Sequence, residues 1–219
     1  IGAGTTDIAL FAGVQPAGNA TVDRVRTQGN PVSIANAGDH VDEFIKQMVE
    51  EGFQGALTAR DRIEIEQNIR RWKEDVFKFG EAIPILSGGK RLARITHHKL
   101  TLDARFLKMQ QELIEALMQV LKSAESIIDT FATSNAPPLY RPVTSIEIVP
   151  CGGGANLPIF KEIALRHWRS SPSGKTLGFD VQKPVPAVGG NYDESFPQLA
   201  VALGGAVRDQ PVVNGANPN

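Results

Sequence analysis

Apolar residues recur at helical spacing in three stretches of the chain. The first predicted helix begins after residue 36 and is closed by Gly52, and one face carries Val41, Phe44, Ile45, Met48 and Val49. A second helix is predicted over residues 61–77, where Thr58 and Asp61 resemble a capping box. A third and longest helix is predicted over residues 103–131.

Shorter apolar segments lie between these helices and predict strands at residues 8–14, 31–36 and 145–149. Two further strands, at 82–86 and 91–95, are separated by a glycine-containing hairpin turn. Residues 15–30 read as a hairpin tip, Pro158 opens another helix, 170–194 form a long loop, and 195–207 form a last small-residue helix. The order of elements indicates an α/β protein.

Composition narrows the range of functions. The chain has 219 residues, 23 Lys and Arg against 24 Asp and Glu, and a net charge of -1, so no general attraction to nucleic acid or to an anionic membrane is expected. No apolar run approaches the roughly 18 residues of a membrane span. Cys151 is the single cysteine, which favours a reducing, cytoplasmic setting, and the four histidines lack metal-ligand spacing.

The glycine-rich start of the chain is a candidate anion-binding turn. Its first residues are Ile1, Gly2, Ala3, Gly4, Thr5, Thr6, Asp7 and Ile8, and a strand follows. Glycines let backbone N–H groups approach an anion, and the threonine hydroxyls add donors. A plain hairpin turn explains this pattern equally well. Because the chain begins at Ile1, inside this turn, we expect it to be a fragment or a processed chain.

Two more glycine motifs join a strand to a helix. At Gly38 the free N–H groups of a helix start favour an anion, although a simple cap from Asn36 or Asp39 is the stronger interpretation of this motif alone. Three consecutive glycines, Gly152 to Gly154, cost backbone entropy, which favours close approach of a flat ligand.

Other motifs are set aside. The run Ser173-Gly174-Lys175-Thr176 mimics the end of a phosphate-binding P-loop, but Arg169 stands where that motif requires glycine. The His97-His98 pair, predicted at the end of a strand, is assigned a surface or capping role.

Taken together and in this order, the glycine motifs resemble the second lobe of the DnaK-type (70-kDa heat-shock) chaperone ATPase domain, in the actin-like ATPase superfamily. The resemblance also rests on residues 104–106 at the head of the long helix and on small residues at 197–207. Residues 148–158 resemble the family's adenosine motif, apolar residues followed by Gly-Gly-x-x-x-Ile-Pro. It covers nearly the whole chain except 15–30 and 170–194.

The resemblance implies a role for each motif. The β- and γ-phosphates of ATP or ADP would be held by Gly2, Gly4, Thr5, Thr6 and Gly38. Asp7 and Thr5 would be the catalytic residues, with Asp7 near Mg²⁺ and the attacking water but no direct metal ligand in this lobe. The adenosine would lie against Gly152, Gly153, Gly154 and Asn156, and Lys73 would reach the ribose. Asn156 and Arg70 depart from the chaperone pattern, which has Arg and Glu at these positions.

The implied fold is a ribonuclease-H-like lobe, a mixed sheet flanked by helices, formed by residues 1–43 and 101–219. A smaller α+β subdomain, 44–100, would be inserted in it. The implied partners are the first lobe of the ATPase domain and a co-chaperone or client protein. Hydrolysis needs groups from both sides of the nucleotide, so this lobe alone is expected to be inactive. The alternatives are an actin-like assembly module and a reactivase of a cofactor-dependent enzyme.

Overall fold

The computed structural model describes residues 4–14, 23–26, 31–52, 57–87, 90–132, 144–152 and 154–182. The helices are α1 (Gly38–Glu51), α2 (Ala59–Phe79), α3 (His97–Thr101), α4 (Ala104–Ser123), α5 (Glu125–Ala132) and α6 (Ile159–Ala164). The strands are β1 (Thr6–Ile8), β2 (Phe11–Val14), β3 (Asp23–Arg26), β4 (Val32–Ile34), β5 (Ile83–Ser87), β6 (Lys90–Ile95), β7 (Ser145–Ile148), β8 (His167–Arg169) and β9 (Thr176–Val181).

The described strands form four small sheets flanked by helices, so the protein is a mixed α/β fold. Three sheets are antiparallel pairs, β1 with β4, β2 with β3 and β5 with β6. In the fourth, β9 lies between β7, which is parallel to it, and β8, which is antiparallel. The described strands thus lie in small separate sheets, of which β7–β9–β8 is mixed, and the finer ribonuclease-H-like arrangement stays a prediction.

Helices α1 and α2 follow their sequence signals. The apolar stripe of α1 is buried, and Gly52 ends the helix as predicted. The predicted side-chain cap of α1 is absent, because Ala37 occupies the N-cap position. In α2 the Thr58 hydroxyl accepts from the Asp61 N–H while the Asp61 carboxylate accepts from the Thr58 N–H, which confirms the capping box.

The predicted helix 103–131 is two helices. Asp103 caps α4, and the helix breaks at Ala124, where ψ is 15°, before α5 begins. Both helices keep the predicted apolar face, since Val120, Ala124 and Ile128 are all buried.

Two other predictions were wrong. The region 170–194 was expected to be a loop, yet β9 lies in it as the central strand of its sheet. His97 and His98 do not end a strand but begin the short helix α3, which is capped by Thr96. The predicted helix 195–207 and the turn at 88–89 lie outside the described residues. The division into a core lobe and a subdomain stays a prediction, and its first boundary falls inside α1.

One apolar cluster spans the described elements. It joins the inner faces of α1, α2 and α4 to the β7–β9–β8 sheet, and its fully buried members include Val41, Ile45, Val76, Phe106, Ile159 and Leu177. None of the helices in this part of the chain combines the length and apolar content needed to cross a bilayer.

Candidate functional site

The first glycine turn lies beside the start of α1. A Cβ atom built on Gly4 would lie 4.0 Å from the side-chain Oδ2 of Asp39, an ordinary van der Waals distance, so the Asp39 carboxylate reaches the first glycine turn. Gly4, Thr5 and Asp39 are all exposed. The structure thus brings together the first two glycine motifs, whereas Gly2 lies outside the described residues.

The three polar residues after Gly4 differ in what they contact. Thr5 Oγ1 donates a long hydrogen bond, 3.4 Å, to Oδ2 of Asp7, and both side chains face solvent. Thr6 is only 3% exposed, and its hydroxyl donates to the carbonyl oxygen of Asn36. Thr5 and Asp7 therefore remain accessible to a ligand, while the Thr6 hydroxyl is used inside the fold.

Asn36 connects this turn to the core helix. It follows β4, and its amide Nδ2 donates to the Glu112 carboxylate on α4. Together with the Thr6 bond, this contact fixes the end of β4 between β1 and α4. The strand pair that carries the glycine turn is consequently tied to α4 through Asn36.

Lys73 contacts Gly38, the first residue of α1. Lys73 Nζ on α2 donates to the carbonyl oxygen of Gly38 at 2.9 Å and lies 2.7 Å from Oδ1 of Asp42. The side chains of Lys73 and Asp42 are 15% and 17% exposed. No role for Asp42 was predicted from the sequence. A carboxylate one turn into a helix that begins at a glycine is nevertheless a local pattern that could have indicated one.

The third glycine motif forms the turn between β7 and α6. Gly152 has a φ of 88°, in the left-handed region that favours glycine, and its carbonyl oxygen accepts from the Ala155 N–H at 3.0 Å. Gly152 and Gly154 are buried, whereas Asn156 is exposed. A tight turn thus explains why glycine is required at position 152. Gly153 lies outside the described residues.

The P-loop mimic is a hairpin turn. Residues 170–175 join β8 to β9, Gly174 has a φ of 68°, and the Gly174 N–H donates to the Ser170 carbonyl oxygen at 3.0 Å. Hydroxyls of Ser170 and Ser173 both donate to Asp129 on α5. The rejection of this motif as a phosphate loop agrees with that geometry, since a P-loop leads from a strand into a helix.

An open cleft of about 430 Å³ lies between the last turns of α2 and β5. Its lining comprises Arg71, Trp72, Asp75, Val76, Glu81, Ala82, Ile83 and Pro84. None of the residues predicted to bind a ligand is among them. Sequence patterns gave no signal for this cleft, because its two walls come from separate elements.

The charges around the α1 start are mainly negative. Asp7 and Asp39 are exposed beside Gly4, and Lys73 is the cation paired with Asp42. A phosphate placed at this turn would meet donors from backbone N–H groups and from Thr5, but also these carboxylates, so a divalent cation would be needed to offset the repulsion. The described residues hold no cluster of three or more His, Cys, Asp or Glu side chains suited to bind a metal ion directly.

Comparisons with known proteins found no match to the chain. No protein-family model, no curated protein and no solved structure matches the chain.

Proposed function

We propose that the chain is a nucleotide-binding lobe, similar to the second lobe of DnaK-type chaperone ATPases, with a ribonuclease-H-like arrangement in the complete domain. The observation that carries the proposal is that the Asp39 side chain, in the first turn of α1, reaches Gly4, so the turn before β1 lies beside the start of α1. Anions bind at such places because N–H groups at a helix start have no partner in the helix. In the proposal, phosphates of ATP or ADP occupy this corner.

Each predicted group would have its own role, and of these groups Gly4, Thr5, Asp7, Asp39 and Asn156 are exposed. Thr5 would donate its hydroxyl to a phosphate oxygen, and Gly4 and Gly38 would present backbone N–H groups. Asp7 and Asp39 would face hydrated Mg²⁺, which usually keeps several waters and is held through few carboxylates. That ion would supply charge neutralisation at the phosphates. The turn at Gly152 and Gly154, with Asn156, would lie against the adenosine.

Catalysis is assigned to the assembled domain and not to this lobe. Phosphoryl transfer depends on positioning and on electrostatic stabilisation from both sides of the nucleotide. The first lobe of the ATPase domain is therefore the partner that the proposal requires. A co-chaperone or client would act on that assembled domain.

Amide chemical shifts of the ¹⁵N-labelled chain test the proposal, since they detect even weak half-site binding. Titration with Mg–ADP is expected to shift the amides of residues 4–7, 38–41 and 152–157. Thr5→Val should weaken binding about tenfold or more, because a hydrogen bond to a charged group is lost. Thr176→Val, which alters another exposed threonine, is the matched control and should bind normally. Absence of any saturable shift at millimolar Mg–ADP would contradict the proposal.

A second candidate function is an assembly or partner-binding module. It is favoured by the internal use of two predicted ligand groups, the Thr6 hydroxyl bound to Asn36 and the Lys73 ammonium bound to Gly38 and Asp42. Sedimentation with and without Mg–ADP separates the two functions. Filaments or larger species that form equally well without nucleotide would favour the module.

A further inference from the structure

Among the described residues, Lys73 joins α2 to the first turn of α1 through both a side-chain hydrogen bond and an ion pair. Its Nζ lies 2.9 Å from the Gly38 carbonyl oxygen and 2.7 Å from Asp42 Oδ1. Both charged side chains are more than four-fifths buried, so solvent screens the pair less than it screens a surface ion pair. The ammonium group is therefore held by one hydrogen-bond acceptor, the Gly38 carbonyl oxygen, and by the Asp42 carboxylate at ion-pair distance, and both belong to α1.

The electrostatic field of the α1 helix dipole does not explain why Lys73 lies at the start of that helix. A helix N-terminus carries a partial positive charge, which disfavours a cation nearby. This unfavourable field is offset by the ion pair with the Asp42 carboxylate and by the hydrogen bond to the peptide oxygen of Gly38. Such an arrangement fixes one peptide group, that of Gly38, at the corner where Gly4 approaches Asp39.

We infer that Lys73 is a positioning residue for the anion-binding corner and not a ribose ligand. By holding the Gly38 peptide, it keeps the N–H groups at the start of α1 directed at the turn that carries Gly4. One consequence of this inference rests on the proposed nucleotide function. It is that Lys73 affects the binding of phosphates and leaves the binding of the nucleoside unchanged. The holding of the α1 start itself does not require any nucleotide.

The first test uses amide hydrogen exchange of the ligand-free chain. In Lys73→Met the amides of residues 40–44 should exchange roughly threefold to tenfold faster, because the first turn of α1 opens more often. Lys73→Arg keeps the cation and should restore most of the protection. Lys78→Met removes an exposed lysine from the same helix and should leave these amides unchanged. Unchanged exchange in Lys73→Met would overturn the inference.

The second test compares ligands by chemical-shift titration. Lys73→Met should weaken Mg–ADP binding about tenfold and leave adenosine binding within twofold, and Asp42→Asn should have the same effect from the other side of the ion pair. An equal loss of adenosine affinity would make Lys73 a ribose ligand and overturn the inference. If the unmodified chain binds neither ligand, the proposed function fails, and the exchange experiment still decides whether Lys73 holds the α1 start.

Discussion

Arg105 and Asp103, two residues apart, are joined by a pair of side-chain hydrogen bonds. Arg105 Nε donates to Asp103 Oδ1 at 2.8 Å and Nη2 donates to Oδ2 at 2.7 Å. The same guanidinium donates to the Glu51 carboxylate at the end of α1, with Nη1 2.8 Å from Oε1. The cap of α4 and the last turn of α1 are thus held by one cation, which positions the two helices that flank the candidate site.

This contact makes stability depend on acid pH. The hydrogen bond from Arg105 lowers the pKa of Asp103 below its ordinary 3.8. The folded chain therefore binds this proton more weakly than the unfolded chain, so the contribution of Asp103 is complete above about pH 4 and is lost as the pH falls through the lowered pKa. In Asp103→Asn, which keeps a capping oxygen, urea unfolding between pH 5 and pH 2 should show a shallower loss of stability. An identical pH dependence in the two proteins would contradict this assignment.

Two helix-ending glycines should respond differently to alanine. Gly80, after α2, has a φ of 69° and open space around its Cα, whereas Gly52, after α1, has a φ of -75°. Only the left-handed conformation penalises a side chain, so Gly80→Ala should lower the free energy of unfolding by about 1 kcal/mol, and Gly80→Asn by less. Gly52→Ala carries no backbone penalty and serves as the control in the same denaturation series. Equal losses at both sites would show that the backbone conformation is not the cause.

Sequence predicted the elements that local signals specify. The capping box of Thr58 and Asp61 and the positions of Gly52 and Pro158 marked helix ends, because capping is decided within a few residues. The break at Ala124 had no such signal, since alanine is the strongest helix former. In the structure α5 is held by contacts from Glu125 and Asp129 to the β8–β9 turn, which no local pattern reports.

Strand β9 and the contacts of the candidate site were not predicted from local sequence patterns. Leu177 and Phe179 alternate with less buried residues, so the period-2 pattern was present, but Gly178 between them and the preceding turn residues obscured it. The approach of Gly4 to Asp39 depends on tertiary packing and was expected only through the chaperone resemblance. Lys73 was expected at the ribose for the same reason, and its contacts with Gly38 and Asp42 could not be read from spacing.

Adjacent residues on α4 offer a test of the core. Phe106 is fully buried and stacks on Phe77 with ring centroids 5.7 Å apart, whereas Leu107 is 43% exposed. Phe106→Ala should cost about 3–5 kcal/mol, because a large cavity opens between α2 and α4. Leu107→Ala, on the same turn, should stay within about 1 kcal/mol. Thermal and urea denaturation of the two variants measure the difference, and comparable losses would place Phe106 outside the core.

The β8–β9 turn should depend on one carboxylate. Ser170, only 1% exposed, donates to Asp129 Oδ1 at 2.5 Å, and Ser173 donates to the same oxygen. The hydrogen bond from Ser170 is the main cause that lowers the pKa of Asp129, with Ser173 second. Asp129→Ala therefore leaves a buried hydroxyl without its acceptor, which is costlier than removing donor and acceptor together.

We expect Asp129→Ala to lower the melting temperature and to speed amide exchange across residues 170–175. Adding Ser170→Ala to it should recover part of the loss, because no buried hydroxyl then lacks a partner. Ser173→Ala alone removes an exposed hydroxyl and should have the smallest effect. A thermal double-mutant cycle of Asp129 and Ser170 measures the coupling. Strictly additive losses would mean that the two side chains act independently and that the contact between α5 and the turn does not stabilise the sheet.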